Sequence, residues 1–257
     1  MMVRRDSGGI PSGAEAMKRS EGMKPGSSSS AGASGFSGLA VLHEDDALIV
    51  LSKPAGLPTA NAPRGTPSAF TLLQERMSPG AFLGVVSRLD APVSGVLVFA
   101  KTRSSAAALA AQFRDRAVEK EYVAVVEGRF PAPLGAWVDW HDQIERHADD
   151  ESDRAAAARP AHVRARVVQR AGEVSLVELD PTTGRRHQLR LQLSRRGCPI
   201  VGDRRYGARL PFPDGIALHA RSLAFAHPDS AARCAFTAAV PSGWHARFSS
   251  LLGRSRG

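Results

Sequence analysis

Short runs of apolar residues, each followed by a turn, place the strongest constraint on how this chain can fold. The runs are too short for helices and are rich in β-branched residues, which favour strands. The predicted strands are Leu48–Leu51, Val96–Ala100, Tyr122–Val126, Val163–Val168 and Val174–Leu179. The second run does not alternate with polar residues, so we expect a strand that is covered on both faces. Tyr122 is expected to open the third strand.

Two segments between these strands have the pattern of helices. Ser104 or Ser105 is a suitable N-cap for a helix whose apolar stripe consists of Ala106, Leu109, Ala110, Phe113 and Ala117. A basic helix is predicted over Arg186–Arg196, after the Thr182–Thr183 pair and before the terminating Gly197. Strands outnumber helices and alternate with them irregularly. This predicts an α+β fold with a mixed or mainly antiparallel central sheet, flanked by helices and loops.

The first 38 residues differ in composition from the rest of the chain. Seventeen of them are Gly or Ser, and they show no apolar period. Such a segment buries too little surface to offset the entropy lost on ordering. We therefore predict a disordered tail over residues 1–38 and one folded domain over residues 39–257. Within that domain, the polar stretch His141–Ala158 is expected to form an exposed loop.

Composition and charge restrict the partners and cofactors. A formal net charge of +9 and a pI near 10.5 favour a polyanionic partner, above all nucleic acid. The two cysteines form no CxxC pair, the eight histidines show no ligand spacing, and the glycine-rich nucleotide-binding motifs are missing. We therefore expect no metal and no cofactor. No run of 18 apolar residues occurs, so we predict no membrane helix and, most simply, a reducing cytoplasmic location.

One charged turn, Ser87–Gly95, stands immediately before a buried strand. A carboxylate in that place is held rigidly and is partly desolvated, so Asp90 suits the role of a nucleophile or base. Aspartate is also common in turns for structural reasons. The alternative is therefore that Asp90 pairs with Arg88 or caps the turn.

Two further segments are candidates for chemistry. On the predicted basic helix, Arg186 and Arg190 would share a face and present guanidinium groups to phosphate or to a buried carboxylate. The alternative is an ordinary solvated basic helix. Tyr122 is one of only two tyrosines in the chain. The alternative interpretation is that Tyr122 is an ordinary half-buried aromatic residue of a strand.

Six motifs follow one another along the chain from Lys53 onward. They are Lys53–Gly56 (KPAG), Arg88–Gly95 (RLDAPVSG), Lys120–Gly128 (KEYVAVVEG), Thr183–Arg190 (TGRRHQLR), Gly197–Gly207 (GCPIVGDRRYG) and Leu218–Pro228 (LHARSLAFAHP). Any one motif alone would be unspecific. All six in this order resemble the RluA-type pseudouridine synthase family, and the resemblance covers everything except the tail.

The resemblance implies a pseudouridine synthase fold and a cofactor-free isomerisation of uridine in ribosomal or transfer RNA. We further expect a monomer, in line with the cytoplasmic location predicted above. The uridine is flipped out of its RNA, the N1–C1′ bond is broken, and the base is rejoined through C5. Asp90 is the catalytic carboxylate implied by the motif. It remains open whether it attacks the sugar, attacks the base or removes the C2′ proton.

The resemblance also implies roles for the residues around this aspartate. Arg190 pairs with Asp90, Tyr122 stacks on the target base, and Arg88 helps to hold the flipped-out RNA. The motif residues His187 and Gln188 either orient Arg190 or contact the substrate. The motif residues Lys53 and Asp203 are expected to belong to the scaffold.

Two positions depart from the family pattern. Ser87 stands where the family usually has histidine, and Val93 where it usually has threonine. We expect altered turn packing or RNA contact rather than lost chemistry. One rival hypothesis is a catalytically silent RNA-binding or ribosome-assembly factor on the same fold, which the retained aspartate, tyrosine and arginine disfavour. The other is a hydrolytic glycosidase, which is the poorer reading because no second carboxylate stands out.

Overall fold

The computed structural model describes residues 39–145, 157–213 and 215–252. The tail predicted over residues 1–38 lies outside the described residues, and so do residues 146–156 of the predicted loop. None of the helices within these ranges is long and apolar enough to cross a membrane.

Ten strands of the described chain form one sheet. They are β1 Ala40–Glu44, β2 Leu48–Lys53, β3 Gly84–Val85, β4 Ser94–Ala100, β5 Glu119–Glu127, β6 Trp137–Ile144, β7 Arg159–Ala171, β8 Val174–Pro181, β9 Leu218–Ala226 and β10 Arg233–Thr237. Across the sheet the order is β1-β2-β4-β9-β5-β8-β7-β6, with β3 beside β4 and β10 beside β9. Among these strands only β4 and β9 pair in parallel. The predicted α+β fold with a mixed, mainly antiparallel sheet is therefore confirmed.

Four helices of the described chain pack against this sheet. They are α1 Ala69–Arg76, α2 Arg103–Arg114, α3 Gln188–Ser194 and α4 Ser242–Leu252. The larger core contains side chains from α1, α3 and α4, whereas α2 contributes Leu109 to a smaller core. The two cores lie against opposite faces of the same strands. Helix α3 ends at Ser194, two residues before the predicted Arg196. Gly197 acts as the predicted stop, because its left-handed φ of +70° lets Cys198 N donate to Leu193 O at 3.1 Å.

Strands β2 and β4 are covered on both faces. Alternate residues of β4 belong to different cores, with Leu97 and Phe99 in the larger one and Val96 and Val98 in the smaller one. A strand between two cores has no face for polar side chains. The expectation for Val96–Ala100 is therefore confirmed, and burial explains why this run does not alternate.

Helix α2 begins earlier than predicted. Its N-cap is Thr102, whose hydroxyl accepts a hydrogen bond from Ser105 N at 3.1 Å, so the predicted cap at Ser104 or Ser105 was wrong. Strand β4 ends at Ala100, and Thr102 is the first hydroxyl residue after it. The helix ends at Arg114, which leaves Ala117 outside it.

Three predicted boundaries, one of a loop and two of strands, were wrong. Residues 141–144 of the predicted loop belong to β6, because Trp140 and Ile144 reach the core while the polar residues near them face outward. Tyr122 lies inside β5 rather than at its start, because the polar residues from Glu119 onward pair with β9. Strand β7 likewise begins at Arg159, earlier than the predicted Val163.

The two halves of the sheet meet at a narrow junction. Strands β4 and β9 share two residue pairs, Ser94 with His219 and Gly95 with Ala220. Gly95 has a φ of +122°, and a Cβ there would lie 2.2 Å from Ala220 O. Glycine is thus required for both the conformation and the close approach. Beside it, His219 Nε2 donates to Ala238 O at 3.0 Å, which leaves Nδ1 to accept from Ser94 Oγ at 2.8 Å.

We expect Gly95→Ala to lower the free energy of unfolding by about 3 kcal/mol or more, because the new methyl group must displace backbone rather than a side chain. Gly65→Ala is the matched control, since Gly65 also has a positive φ (+83°) but has no atom within 4 Å of an added Cβ. Its cost should be about 1 kcal/mol, from the backbone conformation alone. Urea unfolding measures both values, and equal losses in the two variants would contradict a steric role for Gly95.

Candidate active site

The loop that carries Asp90 is held by a turn from a distant part of the chain. Lys53 is 1% exposed, and its ammonium donates to the carbonyl oxygens of Pro54, Leu57 and Ala91 at 2.8, 2.7 and 3.2 Å. The hydroxyl of Thr59 accepts from Leu89 N at 3.0 Å and donates to Leu89 O at 2.8 Å. The residues on both sides of Asp90 are therefore anchored, which limits the movement of its carboxylate.

Arg190 joins two carboxylates. Its Nε and Nη2 donate to the two oxygens of Asp203 at 2.7 and 2.8 Å, and its Nη1 donates to Asp90 Oδ2 at 3.2 Å. Asp203 is buried, with 1% of its side chain exposed, whereas 27% of the Asp90 side chain remains exposed. The bidentate pair compensates the buried guanidinium. Asp90 receives one bond and keeps an open side toward solvent.

The basic segment does not form the helix that its sequence pattern predicts. Helix α3 begins at Gln188, so Arg186 lies before it, and the predicted shared face of Arg186 and Arg190 was wrong. The alternative of a solvated basic helix was also wrong, because Arg190 is 6% exposed. Thr183 does not cap the helix. Its hydroxyl instead donates to Gln188 Oε1 at 2.7 Å and so holds the start of α3.

His187 stands between Asp90 and Tyr206. It has a left-handed backbone φ of 55°, an uncommon conformation for a residue with a side chain. Its Nδ1 lies 2.8 Å from the Tyr206 hydroxyl, and its Nε2 lies 3.6 Å from Asp90 Oδ2. A carboxylate only accepts, so we assign the proton to Nε2 and the donor role at Nδ1 to the tyrosine hydroxyl. Burial lowers the pKa of His187 to about 4; the charge of Asp90 opposes this shift and that of Arg190 adds to it, so the ring is neutral at pH 7.

A cleft of about 1190 Å³ opens over Asp90. This is more than the volume of a pocket for one small ligand. Tyr122 lines it from β5, where it pairs with Leu179 of β8 and Ala220 of β9. Burial, and then the charge of Asp90, raise the pKa of Tyr122 well above its usual value, so the phenol stays protonated.

The walls of the cleft are strongly cationic. The basic residues that line it are Arg88, Arg114, Arg116, Lys120, Arg185, Arg186, Arg190 and Arg205. Among its described lining residues Asp90 is the one carboxylate, so no second acid is present for a two-carboxylate glycosidase. Burial lowers the pKa of Lys120 to about 8, with a further contribution from Arg116, so this lysine is still mostly charged at pH 7. Such walls attract an anionic polymer.

The structure brings together the four residues singled out in the sequence. Asp90, Tyr122, Arg190 and Arg88 all line the cleft, with Arg88 exposed at its wall. The contacts of the Asp90 carboxylate come from Arg190 and His187, not from the alternative partner Arg88.

Three parts of the site escaped the sequence analysis. Asp203 was expected to belong to the scaffold, but its bond to Arg190 was not foreseen, nor were the Thr59 clamp and the contact between Tyr206 and His187. The only signal for Asp203 and Tyr206 was their presence in one motif. The two departures from the family pattern, Ser87 and Val93, both line the cleft, and Val93 is 2% exposed and also belongs to the core.

Comparison with known proteins gives consistent matches. The sequence model described as RNA pseudouridylate synthase matches residues 47–195. The ribosomal large subunit pseudouridine synthase D of Xanthomonas campestris pv. campestris is 36% identical over 223 residues, which cover 79% of this chain and 66% of that relative. The dual-specificity RNA pseudouridine synthase RluA of Vibrio vulnificus is 33% identical over 199 residues, which cover 74% of this chain and 78% of that relative.

A solved structure has the same fold. The structure titled Human RNA Pseudouridylate Synthase Domain Containing 4 matches with a TM-score of 0.63 and 27% sequence identity, over 80% of this chain and 91% of that one. The chain spans just under two thirds, 66%, of the length of the Xanthomonas relative.

We expect Asp203→Asn to lower the free energy of unfolding by about 3 kcal/mol, because it removes one partner of a buried ion pair and leaves the guanidinium undercompensated. Asp115→Asn is the control, since Asp115 also faces an arginine, at 3.5 Å, but is 66% exposed. Asp115→Asn should lower the free energy of unfolding by about 0.5 kcal/mol or less. Urea unfolding at pH 7 compares the two, and similar small losses would contradict a structural dependence on the buried pair.

Stability should depend on pH through His187. Its folded-state pKa of about 4 lies below the ordinary 6.5, so between these values the unfolded chain binds a proton that the folded chain does not. The contribution of His187 to the free energy of unfolding is therefore fully present above pH 6.5 and falls as the pH drops toward 4. The advantage of the wild type over His187→Gln should change by up to about 1.4 kcal/mol per pH unit in this window. Urea unfolding at pH 4.5, 5.5 and 6.5 tests this, and a constant difference would refute it.

Proposed function

Because the chain belongs to the RNA pseudouridylate synthase family, we propose that it isomerises uridine in RNA to pseudouridine, with Asp90 as the catalytic carboxylate. One observation carries the proposal. Asp90 is the one acid among the described residues of a cation-lined cleft, and a guanidinium 100 positions along the chain donates to it.

The reaction is an isomerisation that needs no redox partner and no energy source. The N1–C1′ bond of uridine breaks, and a C5–C1′ bond forms. The proton at C5 passes to solvent and N1 gains one, so atoms and charge balance. The target base must leave its stack to reach a carboxylate in a cleft, at a cost of a few kcal/mol that contacts within the cleft offset.

Asp90 acts in its ionised form beside the reacting ring. The bond from Arg190 holds the carboxylate in one orientation, while the open side leaves room for the nucleotide. The neutral ring of His187 adds no second positive charge, and its Nε2 proton faces the same carboxylate oxygen. The aspartate thus keeps a high charge density toward the substrate.

Tyr122 provides the surface against which the everted uracil stacks. Its phenol ring lines the cleft near enough to Asp90 for that charge to affect its pKa. Aromatic faces commonly bind unstacked bases of RNA. The protonated hydroxyl also offers a donor near the atoms that exchange protons.

The cationic walls bind the RNA backbone around the flipped nucleotide. Arg88 is exposed on the side of the Asp90 loop, where a planar guanidinium suits phosphate or base stacking. The names of the relatives refer to the ribosomal large subunit and to dual specificity for RNA. We therefore take ribosomal RNA as the first substrate. Transfer RNA as a second substrate, a cytoplasmic location and a monomeric enzyme stay predictions of the sequence analysis.

Release of tritium from RNA labelled at uridine C5 tests the proposal. The wild type should release tritium from ribosomal or transfer RNA, and Asp90→Asn should reduce the rate by about 10³-fold or more, because the reacting carboxylate is lost. Tyr122→Ala should be much slower than Tyr122→Phe, which keeps the stacking ring. Arg88→Ala should raise KM more than it lowers kcat.

Asp46→Asn is the matched control, because Asp46 is exposed and lies outside the cleft lining. It should retain the wild-type rate. Full activity in Asp90→Asn would exclude the proposed role of this carboxylate. A wild type that binds these RNAs yet releases no tritium from any of them would favour the silent RNA-binding factor.

A further inference from the structure

Three potential metal ligands meet on the outer strands of the sheet and are not part of the cleft lining. Asp139 and His141 lie on β6, and His162 lies directly opposite His141 on β7. One ligand atom from each residue lies within 4.8 Å of the others. The sequence does not reveal this group of ligands, because the pairing of β6 with β7, and not spacing along the chain, brings the residues together.

The arrangement of donors suits a metal ion. His162 Nε2 lies 3.0 Å from Asp139 Oδ1, and the ring of His141 stacks on that of His162 with centroids 4.2 Å apart. With metal–ligand bonds of about 2.1 Å, two donors this far apart subtend roughly a right angle, as in a six-coordinate ion. Asp139 and His141 are exposed, so their side chains can turn toward a shared ion and water can fill the remaining positions.

Hydrogen bonds to its ring and its main chain already fix His162 in position, as a metal ligand requires. Its Nδ1 lies 2.8 Å from Thr182 Oγ1, and its main chain bonds to the side chains of Thr183 and Gln188. In the metal-free protein the Nε2 proton points at Asp139. A metal ion would take the place of this proton at Nε2, and the proton would move to Nδ1 and be donated to Thr182 Oγ1, so the ring changes tautomer and stays neutral.

The neighbouring positive charge is directed elsewhere. Arg164 pairs with Asp139 in the strand register, but its guanidinium lies over the ring of Trp137 at 4.7 Å and donates to Asp180 at 3.4 Å. Two imidazoles and one carboxylate favour borderline ions over magnesium or calcium. We propose that Asp139, His141 and His162 bind one divalent first-row transition-metal ion.

Titration of the untagged full chain with NiCl2 by calorimetry tests the site. The wild type should bind one Ni²⁺ ion, and both His141→Ala and Asp139→Asn should bind it roughly tenfold or more weakly. His141 is the better variant because it is exposed and contacts His162 through ring stacking. Thermal unfolding gives a second readout, since Ni²⁺ should raise the Tm of the wild type, but not of His141→Ala, and EDTA should reverse the rise.

His43→Ala is the matched control, because His43 belongs to another group of two histidines and an aspartate. There, both histidines face the same oxygen of Asp45, whose other oxygen accepts from two backbone amides. This control should bind Ni²⁺ like the wild type. Absence of binding in the wild type, or unchanged binding in His141→Ala, would overturn the proposal, and neither outcome bears on the proposed isomerase activity.

Discussion

The guanidinium of Arg190 is the interaction on which the site depends. A buried cation must be compensated, and Asp203 supplies this through two short bonds, at 2.7 and 2.8 Å. The third guanidinium nitrogen, Nη1, then donates to Asp90 Oδ2 at 3.2 Å. One side chain thus links helix α3, the segment after it and the loop before β4. The two carboxylates differ in burial: the buried Asp203 anchors the arginine, whereas the partly exposed Asp90 stays accessible from the cleft.

The cleft exists because the sheet is nearly divided at this point. Strands β4 and β9 touch through two residue pairs, and only a glycine at position 95 permits the backbones to approach so closely. Beyond the junction β9 pairs with β10 instead of β4, and the loop that bears Asp90 enters β4 beside the junction. Tyr122 and the cationic side chains then come from elements on both sides. A large cavity and an anchored carboxylate are therefore consequences of the same junction.

The accuracy of the sequence predictions follows from what determines each element. The strand at Val96–Ala100 was predicted correctly because burial on both faces leaves a continuous apolar run. Although α3 ends at Ser194 rather than Arg196, the stop at Gly197 was also correct, since a left-handed glycine is a local requirement. The start of α3 was not, because Arg186 and Arg190 carry the same charge and the pattern cannot tell which one is buried. Tyr122 was misplaced within its strand because polar residues that pair at the sheet's centre look like loop residues.

The sequence by itself predicted the fold class from apolar runs and turn residues, which are features of local chemistry. Six ordered motifs, through a family resemblance, singled out Asp90, Tyr122, Arg190 and Arg88 as candidate site residues. Only the tertiary structure decided which groups meet, as with Arg190 and Asp203, or with His141 and His162. Strand register and helix packing set such contacts. Because these are properties of the whole chain, no spacing along it reveals them.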